Sequence, residues 1–177
     1  MLDAVDLTTA RGRRDRAILS LLITYGLRPG EVVKLRLEDV DWRHDAVHFR
    51  RSKNGRPLSF PLTREIGEAI VAYLRSGRPP TTARELFVRL AAPHVALGRG
   101  SAVSGIVRRY LTKAGVQSRH MGAYVIRHSL AVHLLRKRHP LKTITDVLGH
   151  RDPHVAYQYT KLGTEDLHGV ALDARKV

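Results

Sequence analysis

The sequence predicts a mainly helical domain with a small antiparallel β-sheet, an α+β fold, on three observations. Apolar residues recur at i, i+3 and i+4 along most of the chain. Between positions 45 and 61 the period switches to two, on either side of Asn54-Gly55. The 177 residues, 43% of them hydrophobic, suffice for a core, because chains of about 150 residues hide roughly 70% of their unfolded surface. No repeat, low-complexity run or boundary interrupts the pattern, so residues 1–177 are expected to form a single domain.

The elements follow in order. Ala17, Ile18, Leu21, Leu22 and Tyr25 make one helical stripe over 14–25, with Thr8 and Thr9 as candidate caps and Gly26 as the stop. Pro29, suited to a first helical turn, opens a short second helix with Glu31 near its start and Val32, Val33, Leu35 and Leu37 as its apolar content; Arg28 thus falls at a helix-to-helix junction. Val47 and Phe49 alternate with His48 and Arg50, Leu58 and Phe60 resume the alternation, and the intervening Asn54-Gly55 signals a hairpin with Lys53 at its tip. Thr63 is placed to cap a helix running to about Ser76, which Gly77-Arg78-Pro79-Pro80 ends. Further helices are expected over 101–114, 123–137 and 140–148, the last closed by Gly149, and an amphipathic one from Thr164 onward.

Charge narrows the function. The chain has 31 Lys and Arg against 16 Asp and Glu, a net +15, and residues 86–145 hold eleven cations and no acid. Such a surface suits a polyanion, and arginine, which supplies most of the cations, grips phosphate with a planar fork. Ten Phe, Trp and Tyr residues are too few for a base-stacking platform, so duplex backbone is favoured over single strands. The absence of Cys excludes disulfides, a thiolate nucleophile and sulfur-ligated zinc. The acidic start lacks a secretory signal and the longest apolar stretch, 17–27, is too short for a bilayer, so a soluble cytoplasmic protein without a membrane partner is expected.

No phosphate-binding Gly-Lys loop, dinucleotide fingerprint or Gly-x-Ser-x-Gly elbow is present. His150 and His154 flank a proline without an evident acidic ligand, and Asp39, Asp41 and Asp45 read as a turn entering the hairpin rather than a metal cluster.

What stands out are Tyr25-Gly26-Leu27-Arg28-Pro29-Gly30-Glu31, then Ser52-Lys53-Asn54-Gly55, then Tyr124-Val125-Ile126-Arg127-His128-Ser129, then Leu148-Gly149-His150-Arg151-Asp152, then Tyr159-Thr160. In this order and spacing, over nearly the whole chain, they resemble the catalytic domain of tyrosine site-specific recombinases, the phage integrase family. The resemblance implies that fold, and it implies DNA strand cleavage and rejoining through a 3′-phosphotyrosine, with no metal or other cofactor. It makes Tyr159 the nucleophile, Arg28 and Arg127 the phosphate-binding arginines, Glu31 the acid that supports the first, Lys53 the hairpin lysine that protonates the leaving 5′-oxygen, and His150 a hydrogen-bond donor to the phosphate. The partners implied are double-stranded DNA and further copies of the chain, as a tetramer on DNA and a monomer alone. The chemistry agrees: ionising a phenol of pKa near 10 at pH 7 costs about 4 kcal/mol, so the site must be dense in positive charge.

Two departures qualify the resemblance. Tyr124 stands where the family usually carries a histidine, and a phenol is no general base near pH 7, so Tyr124 is expected to orient by hydrogen bonding unless His120 or His128 substitutes. The family usually adds a helical N-terminal domain that clamps the opposite face of the duplex, and residues 1–177 are expected to lack it, as an excised catalytic domain or an unusually short relative would. Tyr157 is a competing phenol at the wrong distance from His150. The alternatives are a non-catalytic DNA-binding module of the same fold and, less suited to the ordered boxes, a basic RNA-binding protein.

Overall fold

A computed structural model describes residues 1–49, 57–117 and 121–149. Six helices and one three-stranded sheet lie among them: α1 (Ala10–Tyr25), α2 (Pro29–Val33), β1 (Val40–Asp41), β2 (Ala46–Phe49), β3 (Leu58–Pro61), α3 (Arg64–Ser76), α4 (Gly100–Lys113), α5 (Ala123–Arg136) and α6 (Leu141–Leu148). The α+β expectation is met. The hairpin tip with Lys53, and the tail from Thr164 onward, lie outside the described residues.

α1 is the central element, packing against α2, α3, α4 and α5. It starts four residues earlier than its apolar stripe because Thr9 caps it, the Thr9 hydroxyl accepting the Gly12 N–H at 3.0 Å. Residues 17–22 are buried on every side, as befits a helix enclosed by others. It ends where Gly26 turns left-handed at φ 59° and donates to the Leu22 carbonyl. α2 is shorter than expected: Leu35 and Leu37 lie beyond its end, Leu37 opening a 3₁₀ turn over Leu37–Asp39.

The sheet has one strand more than the sequence suggests. β1 pairs with β2 through Val40–Val47 and Asp41–Ala46, and β2 with β3 from Ala46–Pro61 to Phe49–Leu58, all antiparallel. Two of the aspartates are taken up by main chain on either side of β1: Asp41, entering the turn to β2, accepts from the Arg43 and His44 amides and the His44 ring, while buried Asp39, just before β1, accepts from the Arg36 amide. Thr63 does stand at the start of α3, but its side chain makes no capping hydrogen bond.

One apolar core joins α1 to α4 with the sheet, through residues such as Ile18, Leu22, Phe49, Ile70, Phe87 and Val107, and takes in Ala123 and Ile126 from the start of α5. Beyond them α5 and α6 make a small cluster of their own, Ala131, Ile144 and Leu148 with half-covered Leu130, Leu134 and Leu135.

Candidate active site

The segment leaving α1 carries the first arginine. Arg28 is the residue before Pro29, hence extended (φ −75°, ψ 144°), and α2 begins directly after it. Buried Glu31, one turn on, accepts both the Arg28 main-chain N–H at 2.7 Å and the guanidinium at 3.2 Å. The second η-nitrogen of Arg28 donates to the Gly149 carbonyl at 3.2 Å, and the side chain remains 44% exposed.

Arg127 comes from the opposite direction, on the second turn of α5, and is buried (7% exposed). One η-nitrogen donates to the Gly26 carbonyl at 2.6 Å and the other to the Leu148 carbonyl. The two arginines sequence analysis singled out, 99 positions apart, therefore grip successive carbonyls, Leu148 and Gly149, at the end of α6, immediately before His150. Cations are favoured there, since a helix C-terminus carries partial negative charge. Gly26 permits the approach: a β-carbon on it would lie 2.8 Å from methyls of both Leu130 and Leu148.

Tyr124 lies one turn before Arg127 and is 60% exposed, its ring stacked on buried His128 at 5.8 Å between centroids and 18° between planes. Burial holds the His128 imidazole pKa below its ordinary value of 6.5. His128 thus supports the Tyr124 ring from beneath.

The base of the Lys53 hairpin is tied to the same region. Tyr25, three residues before Arg28, stacks on Phe60 at 4.8 Å, meets Phe49 at 6.1 Å, and donates its hydroxyl to the Pro61 carbonyl. Burial raises the pKa of this phenol, which suits a structural donor. The tether to Pro61 is not legible in the sequence, where Tyr25 closes the apolar stripe of its helix and opens the Arg28 motif.

Lys53, His150 and Tyr159 lie outside the described residues, as do His120, His154 and Tyr157. No three His, Asp or Glu among the described residues are grouped to hold a metal ion, and no described helix is long and apolar enough to cross a membrane.

An arginine pair thus meets at a helix end of a mainly helical domain, Arg28 partnered by a buried carboxylate and Arg127 by main-chain carbonyls. Residues 1–165 match the Phage integrase family, and the chain belongs to that family. A putative integrase/recombinase of Sinorhizobium fredii, y4gC, is 49% identical over 166 residues, covering 93% of this chain and 85% of the relative. The tyrosine recombinase XerD of Ralstonia nicotianae is 30% identical over 174 residues, 94% of this chain but 54% of that protein. A second putative integrase/recombinase of Sinorhizobium fredii, y4rF, is 41% identical over 172 residues, 97% of this chain but 40% of that protein. In fold, the chain resembles the crystal structure of XerA recombinase with a TM-score of 0.76 at 27% identity, over 94% of this chain and 58% of that one.

Proposed function

We propose that this chain is the strand-transferring catalytic domain of a site-specific DNA recombinase. The observation that carries the reading is the meeting of Arg28 and Arg127 at the Leu148–Gly149 turn, with Glu31 beneath Arg28. Relatives named integrase/recombinase and tyrosine recombinase support it, and a XerH neighbour of the same fold is described as bound to its difH substrate after cleavage.

In this reading the Tyr159 phenolic oxygen attacks the scissile phosphorus, a P–O bond forms to the tyrosine, and the bond to the 5′-oxygen breaks. The phenol's proton leaves to solvent, and Lys53 gives a proton to the departing 5′-oxygen, which leaves as a hydroxyl. Arg28 and Arg127 neutralise the nonbridging oxygens as charge gathers on them, each such donor contributing about 10²–10³ in rate. His150 adds a hydrogen bond. Tyr124, exposed and held flat on His128, hydrogen-bonds the phosphate or the incoming phenol and takes no proton. Rejoining is the reverse attack by a 5′-hydroxyl, so the bond energy stays in the protein–DNA link and no metal or high-energy cofactor is required. On DNA the reading calls for several copies, in keeping with the family's tetramers.

The test is a nicked duplex from which the cleaved end diffuses away. The protein should form a denaturation-resistant adduct that Tyr159→Phe abolishes. Binding should weaken with salt with a log–log slope near −5, for about five or six phosphate contacts. Salt-sensitive binding without any adduct would favour a non-catalytic DNA-binding module, the reading to which exposed Tyr124 in the histidine position points.

A further inference from the structure

We infer that the first turn of α4 is a spacer that fixes how far apart Arg28 and Arg127 stand; this rests on the phosphate-binding role proposed for the two arginines. The start of α4 meets the Arg28 segment. A β-carbon on Gly100, the first residue of α4, would lie 2.9 Å from Pro29 Cβ, 3.1 Å from the Gly30 amide nitrogen and 3.3 Å from the Pro29 carbonyl carbon. All three atoms belong to a proline ring or to main chain, so nothing there yields by rotating a side chain. α4 therefore touches, backbone to backbone, the peptide that follows Arg28.

One turn further along the same face lies the segment that leads to Arg127. A β-carbon on Gly122, the residue just before α5, would sit 3.8 Å from Ser104 Cβ, an ordinary contact. Positions 100 and 104, four apart, share one face of α4, so Pro29 and Gly122 rest against that face about one helical turn apart, and each lies within five residues of an arginine. Gly100 is the tight end of that face. Any side chain there must push α2 outward by several tenths of an ångström, and Arg28 moves with Pro29. The hydrogen bond from Arg28 to Gly149, already 3.2 Å, stretches further.

The consequence falls on geometry rather than on charge. Gly100→Ala keeps both guanidiniums but sets them at the wrong spacing for one phosphate, and misplacement approaching 1 Å costs up to about 10²-fold in rate. Gly105→Ala is the control in the same helix, since a β-carbon there meets nothing within 4 Å.

The experiment measures single-turnover adduct formation on the nicked duplex at saturating DNA, duplex affinity by anisotropy, and the Nε–H signals of both arginines by NMR during titration with inorganic phosphate. Gly100→Ala should slow the adduct roughly 10- to 100-fold with little change in duplex affinity, while Gly105→Ala matches the parent. In an Arg28→Lys background Gly100→Ala should add little further loss, because non-additivity marks residues acting through one another. In the parent, phosphate should shift both arginine signals with one midpoint, and Gly100→Ala should separate the midpoints. If Gly100→Ala does not fold, Ser104→Gly removes the β-carbon that faces Gly122 without adding an atom and should slow the adduct less, again with little further loss beside Arg28→Lys. Equal losses in both backgrounds, or an unchanged rate together with an unchanged phosphate titration, overturn the spacer. A parent that forms no adduct while phosphate still shifts both signals overturns strand transfer and leaves the spacer to be judged on the titration.

Discussion

The body around α1 and the α5–α6 pair are held in different ways. In the body, large side chains such as Tyr73, Phe49 and Phe87 are fully buried, and buried Arg14 and Asp15 share one network. Asp15, with no exposed surface, accepts from Arg14 at 2.8 and 3.0 Å and from Arg109 and Tyr110 at 3.3 Å, while Arg14 also donates to the Val88 carbonyl. This ties α1 to α4 and to the segment after α3, and it raises the Tyr110 pKa, through burial first and the Asp15 charge second. The α5–α6 cluster buries three small or medium apolar residues, and the end of α6 is held by guanidiniums. The residues proposed to bind phosphate thus also tether the end of α6 to the body, through the Gly26, Leu148 and Gly149 carbonyls.

Three perturbations test that contrast. The largest effect belongs to the body: Asp15→Ala strands Arg14 in the core, and breaking a buried pair costs about 3–5 kcal/mol. Urea unfolding should show the whole domain weakened, and an unmoved midpoint would mean that apolar packing alone holds the body. Next comes Arg127→Ala, which leaves the buried Gly26 and Leu148 carbonyls without a donor at about 1–3 kcal/mol each. Its signature is local: α6 amides should lose hydrogen-exchange protection before α1 amides do. Arg28→Ala is milder, because a half-exposed guanidinium contributes at most about 1 kcal/mol, and Glu31 keeps the Arg28 main-chain N–H. Both arginine variants should nevertheless abolish the phosphotyrosine adduct, so activity would fall alike while stability does not. Equal destabilisation by the two would erase the distinction drawn between them.

These differences were only partly legible in the sequence. Helices α1, α3, α4, α5 and α6 followed from apolar spacing and from Thr9, Gly26 and Gly149 at their ends, because those signals are local. β1 was missed since two residues, Val40 and Asp41, are too few to show a period. The segment 83–88 was missed for another reason: its order comes from Arg78, whose guanidinium takes the Ala83, Glu85 and Leu86 carbonyls at 2.7–3.2 Å, and from bridges joining Arg36 to Glu85 and Val88 to Ala96. Long-range main-chain acceptors leave no mark on residue spacing. The same holds at the candidate site. The identities of Arg28, Glu31 and Arg127 stood out from their motifs, but the carbonyls of Gly26, Leu148 and Gly149 that seat them have no side-chain signature. Nor did anything around Gly100 announce that Pro29 lies against it.

The smallest effect sharpens the contrast at the point where α5 leaves the body. His128 is buried there under the Tyr124 ring, and burial lowers its folded pKa below the ordinary 6.5. The unfolded chain therefore binds more protons than the folded one once pH drops through 6.5, and stability conferred by the neutral imidazole is complete above that pH and lost progressively below it. A single such group changes stability by at most about 1.4 kcal/mol per pH unit. The chain has ten histidines, so the quantity to measure is the difference between the parent and His128→Asn in urea midpoint from pH 7.5 to 5. The parent should lose stability below pH 6.5 more steeply than the variant, with hydrogen exchange rising first in α5 beyond Ile126. Parallel pH profiles would mean that His128 stays protonatable where it stands, and the stacked Tyr124 would then rest on a charged ring rather than a neutral one.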